Sequence, residues 1–299
     1  MDLTVVVPTK DRPAEVAALL ADLAAQSCPP HRVLLLDAGA RPLEAPLSPL
    51  GPDWIGVLRH RPPSTALQRN RGATAAGTPL IAFIDDDMRF AGDAFRRMGE
   101  FWDSPAAGDV VAAGFNIVGA NAPAPRLKGG RLTDRLGLYP SRPGTLAPSG
   151  WQSMIGAVDD DRDVDWLPAG AVVWRTGAFA DLGGFDPYFS GYGYLEDLDL
   201  SWRARLLGRL RVVAAARCRH LGAVTGKAGA AEFGRIEVRN RLYLVRKHGL
   251  SRGRCAAGLL IRAALTLRRA VLQRDAGAWA RFGGNLRGLG EELRGWHGR

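Results

Sequence analysis

In Leu80-Ile81-Ala82-Phe83-Ile84-Asp85-Asp86-Asp87 an apolar run passes into three carboxylates with no linker. Five apolar residues in a row read as a buried strand. Three adjacent carboxylates repel one another, so keeping them together calls for a cation. A hard divalent ion with oxygen ligands, Mn²⁺ or Mg²⁺, suits them. Alternation along an extended chain puts Asp85 and Asp87 on one side, which makes these two the expected metal ligands rather than Asp86. An acidic run can also be a turn or a helix cap. Its place directly after an apolar strand favours the metal.

Toward the N-terminus the pattern repeats. Leu3 to Val7 is an apolar run ending at Pro8, Arg32 to Leu36 is a second strand ending at Asp37, and Trp54 to Leu58 is a third. Between them, Asp11-Arg12-Pro13 opens a helix with Asp11 as the expected N-cap and Val16, Leu19, Leu20 and Leu23 as its apolar stripe. Ser64 to Ala76 reads as a second helix. Strands alternating with helices imply an α/β fold, a mostly parallel central sheet flanked by helices. The strand ends at Pro8, Asp37 and Asp85 then share one edge, where such sheets bind ligands.

The 299 residues are 46% hydrophobic and 23% charged, enough for one large α/β domain, or a domain plus an appendage, with a sizeable core. The net charge of +10 is unevenly spread. Residues 201–299 hold about 22 Lys/Arg against 5 Asp/Glu, roughly +17, which leaves residues 1–200 near −7. An acidic front suits a metal or cationic group, and a basic back suits phosphates or an anionic membrane. Cys28, Cys218 and Cys255 have no C-x-x-C spacing, so neither a zinc site nor a disulfide framework is expected, and a reducing compartment is. Met1-Asp2-Leu3-Thr4 lacks a charged n-region and a long apolar run, so no signal peptide is expected. A cytoplasmic location follows as the expectation.

Residues 116–165 are rich in Gly, Pro, Arg and Asp without periodicity, and read as a loop or insertion serving as a lid or acceptor segment. Regular structure is expected again at Ala171–Trp174 and in a helix beginning near Tyr194. Glu196-Asp197-Leu198-Asp199 opens that helix, with Leu195, Leu198, Trp202 and Leu206 as its core-facing stripe. Acidic residues in a first turn also simply complement the helix dipole. From Arg252 onward the chain reads as two basic amphipathic helices. The expected organisation is a domain over 1–250 followed by a basic helical extension over 251–299. Residues 252–274 fit the interface of a membrane, at the inner face of the plasma membrane, and fit equally a helix packed on its own domain.

Val5-Val6-Val7-Pro8-Thr9-Lys10-Asp11-Arg12, Leu34-Leu35-Leu36-Asp37, Asn70-Arg71-Gly72, Asp85-Asp86-Asp87, Gly183-Gly184-Phe185-Asp186, Glu196 to Arg203 and His220-Leu221-Gly222 follow one another in an order that resembles the family 2 glycosyltransferases of GT-A fold. The resemblance spans roughly Leu3 to Lys247, and rhamnosyltransferases are among the closer-looking members. It implies an inverting transfer of a hexosyl or deoxyhexosyl group from a nucleotide-diphosphate donor to an acceptor hydroxyl, in bacterial polysaccharide or glycolipid synthesis. In its terms Pro8, Thr9 and Asp37 hold the base and ribose, and the Asp suits the N–H of uracil or thymine. The family usually continues that Asp with polar residues, whereas Asp37-Ala38-Gly39-Ala40 offers none. Asn70, Arg71, Asp85 and Asp86 lie on the nucleotide-sugar side, Arg71 being either a phosphate partner or a surface residue. Asp87, Asp85 and His220 hold the metal, with Thr225 and Lys227 available to the pyrophosphate. Asp197 is the expected base ahead of Glu196, because single displacement needs a carboxylate to take the acceptor's proton. Asp199 and Trp166 fall to the acceptor side, Trp166 as a sugar platform or a core residue. The acceptor is a saccharide or lipid-linked.

Other classes fit less well. A nucleotidyltransferase usually has a Gly-rich loop after the first strand, where this chain has Pro8-Thr9-Lys10-Asp11-Arg12-Pro13. Nucleic-acid binding would use the basic half, which lacks interleaved aromatic residues and leaves the acidic clusters unexplained.

Overall fold

The computed structural model describes residues 1–44, 50–51, 53–119, 130–191, 193–222 and 229–297. The chain divides into two compact units, Met1–Pro125 with Met154–Val224, and Arg126–Ser153 with Thr225–Arg299.

The first unit holds β1 (Leu3–Thr9), α1 (Pro13–Ala24), β2 (Arg32–Asp37), β3 (Ile55–Arg59), α2 (Thr65–Ala76), β4 (Leu80–Ile84), β5 (Met88–Phe90), α3 (Ala94–Trp102) and β6 (Val110–Ile117). It also holds β7 (Arg162–Val164), β8 (Ala171–Arg175), α5 (Thr176–Asp181), α6 (Glu196–Ala204) and β9 (Arg209–His220). Among the described residues the strands form one sheet ordered β3-β2-β1-β4-β8-β6-β9-β5, with β7 also paired to β9. The expected parallelism holds across β3-β2-β1-β4. Beyond β4 the sheet is mixed: β8 is antiparallel to both neighbours, and β6 and β9 are parallel.

The uninterrupted apolar runs follow from burial on both faces. In β1, Val5 and Val7 enter the cluster beneath α1 and α3, while Val6 enters the one beneath α2 and α5. Val33 and Leu35 separate from Leu34 and Leu36 in the same way. In α1 the predicted stripe of Val16, Leu19, Leu20 and Leu23 is buried. Asp11 is not its cap. Arg12 holds that position, and Asp11, at φ 56°, turns its carboxylate to accept from the Ala40 amide at 2.6 Å. In α6 the stripe fails at Leu206, which is exposed because the helix has already ended at Ala204.

The second unit contains α4 (Arg131–Arg135), α7 (Ala230–Lys247), α8 (Arg252–Leu272) and α9 (Ala276–His297). The stretch expected as a loop, 116–165, thus carries the end of β6, α4 and β7. The expected boundary at 250/251 falls in the turn between α7 and α8, inside this unit. Here α7 and α9 approach closely through glycine: a Cβ on Gly284 would lie 1.9 Å from the Ala231 carbonyl oxygen. Buried Glu237 accepts from Arg281 at 2.8 Å and faces Arg262 at 3.4 Å, joining α7, α9 and α8. The three cysteines are free. Among the described residues no helix is long and apolar enough to cross a membrane.

Candidate active site

The described residues of the candidate site lie in the first unit. Thr9 and Asp37 end β1 and β2 side by side, as partners in the parallel register. At the same edge α2 begins, with Ser64 capping it by accepting from the Leu67 amide. This helix can sit low on the sheet because Gly72 has no side chain; a Cβ there would meet Val6 Cγ1 at 2.3 Å. The low seat brings Gln68 and Arg69 onto the strand ends. Gln68 Nε2 donates to the carbonyls of Thr9 at 3.1 Å and Leu36 at 2.5 Å, tying β1 to β2.

The three carboxylates after β4 diverge. Asp86 turns inward and accepts from Thr9 Oγ1 at 2.8 Å and Arg12 Nη1 at 2.6 Å. Burial pushes its carboxyl above the ordinary value, with Thr9 and Arg12 opposing. Asp85 is half-buried and accepts from Arg69 Nη2 at 2.8 Å. Asp87 is buried, 3.2 Å from His220 Nε2. That approach follows from the ladder, where Met88 on β5 pairs with His220 on β9. The alternation expected of an extended chain is absent, because residues 85–87 lie in a turn in which the Met88 amide donates to the Asp85 carbonyl at 3.1 Å; Asp86 turns to Thr9 and Arg12, Asp85 to Arg69 and Asp87 to His220.

Arg69 joins this cluster to α6. Its side chain is buried, and Nη1 donates to Glu196 Oε1 at 3.1 Å while Nη2 holds Asp85. The start of α6 is strained, Leu195 standing at φ 74°, a region costly for a side-chain-bearing residue. Burial raises the Glu196 carboxyl, with Arg69 opposing. Burial, reinforced by repulsion from Glu196, pushes Asp197 up to about 7 against the pull of the Leu198 amide and Arg69. A carboxyl titrating there can accept a proton near neutrality.

Other sequence candidates sit differently. Asp37 is buried and accepts from the Gly39 amide at 2.7 Å, the Leu43 amide at 2.8 Å and Arg59 Nη1. Burial alone would raise its carboxyl; these donors outweigh it and hold it below the ordinary value. Asn70 spends both ends of its amide on the backbone of Phe185, each at 2.8 Å, and so locks the Gly183-Gly184-Phe185 turn. Arg71 is exposed and donates to the Arg59 carbonyl. Asp199 is fully buried and paired with Arg203 at 2.9 Å, so it braces α6 rather than facing an acceptor. Pro8 is buried within β1, paired with Leu36. Trp166 is buried and lines an apolar cavity with Phe115, Ile117, Leu167 and Val212. Thr225 and Lys227 lie outside the described residues.

Sequence reasoning missed Arg69, Gln68, Arg12 and Arg59. Only Arg69 had a usable signal: one position before Asn70, it falls on the helix face that carries Ala66, Gly72 and Ala76 inward.

Among the described residues no three of His, Cys, Asp and Glu converge on a metal position. Asp87 and His220 do meet, and Asp85, two residues before Asp87, has a partly exposed carboxylate. Mg²⁺ and similar ions commonly take one or two protein carboxylates and complete their shell with substrate phosphates and water, so this donor set fits such an ion.

Residues 4–156 match the model of glycosyl transferase family 2. The chain belongs to that family. Over 212 residues it is 29% identical to pre-mycofactocin glycosyltransferases of Mycobacterium tuberculosis, an alignment covering 68% of this chain. The chain spans 38% of the length of those relatives. A mannosyltransferase from Pyrobaculum calidifontis, solved with GDP-Man and Mn²⁺, superposes with a TM-score of 0.52 at 15% identity, over 96% of this chain and 86% of that one. S. aureus TarS 1-349 in complex with UDP-GlcNAc gives 0.51 at 15% identity, over 93% and 75%. At such identities the likeness is one of fold, and the shared architecture is GT-A.

Proposed function

We propose that this family member is a metal-dependent, inverting glycosyltransferase that moves a hexosyl or deoxyhexosyl group from a nucleotide-diphosphate sugar to an acceptor hydroxyl. The observation that carries the proposal is the Arg69 bridge between Asp85, beside the Asp87–His220 pair, and Glu196, beside Asp197. One buried guanidinium thus joins Asp85 to Glu196, which supports a metal on the Asp85 side and a proton acceptor on the Asp197 side. Inversion needs only one such carboxylate. Asp197 takes the acceptor hydroxyl's proton as its oxygen bonds to the anomeric carbon. The bond from that carbon to the diphosphate oxygen breaks, and its electron pair leaves with the diphosphate. Asp87, His220 and Asp85 would hold Mn²⁺ or Mg²⁺, which supplies charge neutralisation to the departing diphosphate.

Pro8, Thr9 and Asp37 form the base and ribose side. A carboxylate held ionised at Asp37 can accept from the N–H of uracil or thymine, which supports a UDP- or dTDP-sugar as donor. The bound donors of the two superposed enzymes support the class of nucleotide sugar. The acceptor is a saccharide or lipid-linked, in bacterial polysaccharide or glycolipid synthesis at the cytoplasmic face of the membrane.

The test is donor binding and hydrolysis by the purified protein across UDP-, dTDP- and GDP-sugars, with and without Mn²⁺. Asp87→Ala should lose metal-dependent binding, and Asp197→Asn should bind the donor without turnover. If no nucleotide sugar binds under either condition, the proposal fails.

A further inference from the structure

The inner side of α8 is fully accounted for within the second unit. Cys255 and Leu259 enter a cluster with Tyr139, Trp151, Val238 and Val245. Tyr139 donates its hydroxyl to the Gly258 carbonyl at 2.7 Å, and a Cβ on Gly258 would touch the Trp151 ring at 3.0 Å. Thr266 and Ala270 continue the same buried line. At 3.6 residues per turn, the rest of the helix surface carries Leu260, Ile261, Ala264, Leu265, Arg268, Val271 and Leu272 over an arc of about 140°, with Leu265 and Leu272 at its edge next to Gly258.

That outward side is apolar, the reverse of an ordinary surface helix. Leu260 is 66% exposed, Ile261 37%, Leu265 43%, Val271 54% and Leu272 70%. No acidic residue occurs anywhere in Arg252–Leu272, and exposed Arg254 and Arg268 lie on or beside the apolar face. Glu237 and Asp275 meet the arginines that point elsewhere, Arg262 and Arg269.

We infer that the outward face of α8 docks on an anionic lipid surface, lying in the interface with its leucines among the acyl chains and its arginines at the headgroups. Charge complementarity selects this occupant. Nucleic acid would meet the arginines and leave five large apolar side chains in water, whereas a bilayer carrying anionic headgroups satisfies both. The length and composition of α8 suit lying on the membrane, and no described helix is apolar enough to cross one. Such docking would hold the enzyme where a lipid-linked acceptor resides, although it does not depend on the transferase reading.

The experiment is co-sedimentation of the full chain, without donor or acceptor, with vesicles of equimolar phosphatidylglycerol and phosphatidylcholine, and with phosphatidylcholine alone. The wild type should bind the anionic vesicles and weaken as salt rises. Leu260→Glu with Leu265→Glu should weaken binding by about tenfold or more, while its thermal melt stays at the wild-type value because both positions are already exposed. Leu206→Glu, at an exposed leucine outside α8, should bind as the wild type does. Failure of the wild type to sediment with anionic vesicles overturns the inference, as does undiminished binding by the double variant. It is also overturned if the double variant converts a dimer to a monomer while the wild type ignores vesicles, since the occupant is then a second copy of this chain.

Discussion

Asp197→Asn should make the protein more stable in mild alkali while removing its activity. The Asp197 carboxyl is pushed from its ordinary value of 3.8 to about 7 by burial and by Glu196. A raised pKa means the folded chain binds the proton more tightly than the unfolded one. The associated stability is fully present below about 3.8 and is lost as pH rises through about 7. Above that, the folded protein carries an ionised carboxylate in a poor environment, and Asn removes the charge with little change in shape. Three units at about 1.4 kcal/mol each set an upper bound near 4 kcal/mol. Asp197 is only partly buried and shares its charge with Glu196 and Arg69, so about 2 kcal/mol is the expected gain at pH 8. For a chain of this size that corresponds to a rise in Tm of roughly 5 °C. The assay is urea denaturation of both proteins at pH 5 and pH 8, read as the difference between the two differences. At pH 5 the gain should shrink to well under half. A variant no more stable than the wild type at pH 8, or a difference independent of pH, refutes the raised carboxyl. With it would go the proposed acid limb of the activity profile, which should rise with pH toward a plateau above about 7.

Arg69→Met should destabilise the first unit by about 3–5 kcal/mol, because it leaves Asp85 and Glu196 facing each other without their shared cation; urea denaturation measures it, and a loss under 1 kcal/mol means the bridge does not form. Gly72→Ala should cost about 1–3 kcal/mol, since a Cβ placed 2.3 Å from Val6 Cγ1 must lift α2 from the sheet. Lifting α2 also displaces Gln68 and Arg69, so its donor affinity should fall along with its urea midpoint; an unchanged midpoint rejects the close seat.

The chemistry-bearing motifs were legible because each is local. An apolar run of five residues followed by Asp85-Asp86-Asp87 can be read without knowing what packs against it, and so can the stripe of α1. Patterns that depend on partners were not. β9 reads Arg209-Leu210-Arg211-Val212-Val213-Ala214-Ala215-Ala216-Arg217-Cys218-Arg219-His220, and its Ala and Arg content hides a strand that only pairing with β6 and β5 stabilises. Without it, the meeting of His220 with Asp87 rested on family resemblance alone. The sheet's mixed half was invisible for the same reason, since strand direction is a property of pairs.

The sequence by itself therefore determined the α/β class and pointed to one strand edge and two acidic motifs, because hydrophobic periodicity and strand punctuation are written in consecutive residues; it set Pro8 at that edge, where the structure ends the strand one residue later at Thr9. The tertiary structure alone decided which charges meet. Arg69 rather than Arg71 lies between Asp85 and Glu196, Asp199 belongs to Arg203, and Asn70 to Phe185. Whether a charged side chain is buried, and against what, depends on residues as far apart as Arg69 and Glu196. It also depends on how low a glycine such as Gly72 lets a helix sit on the sheet.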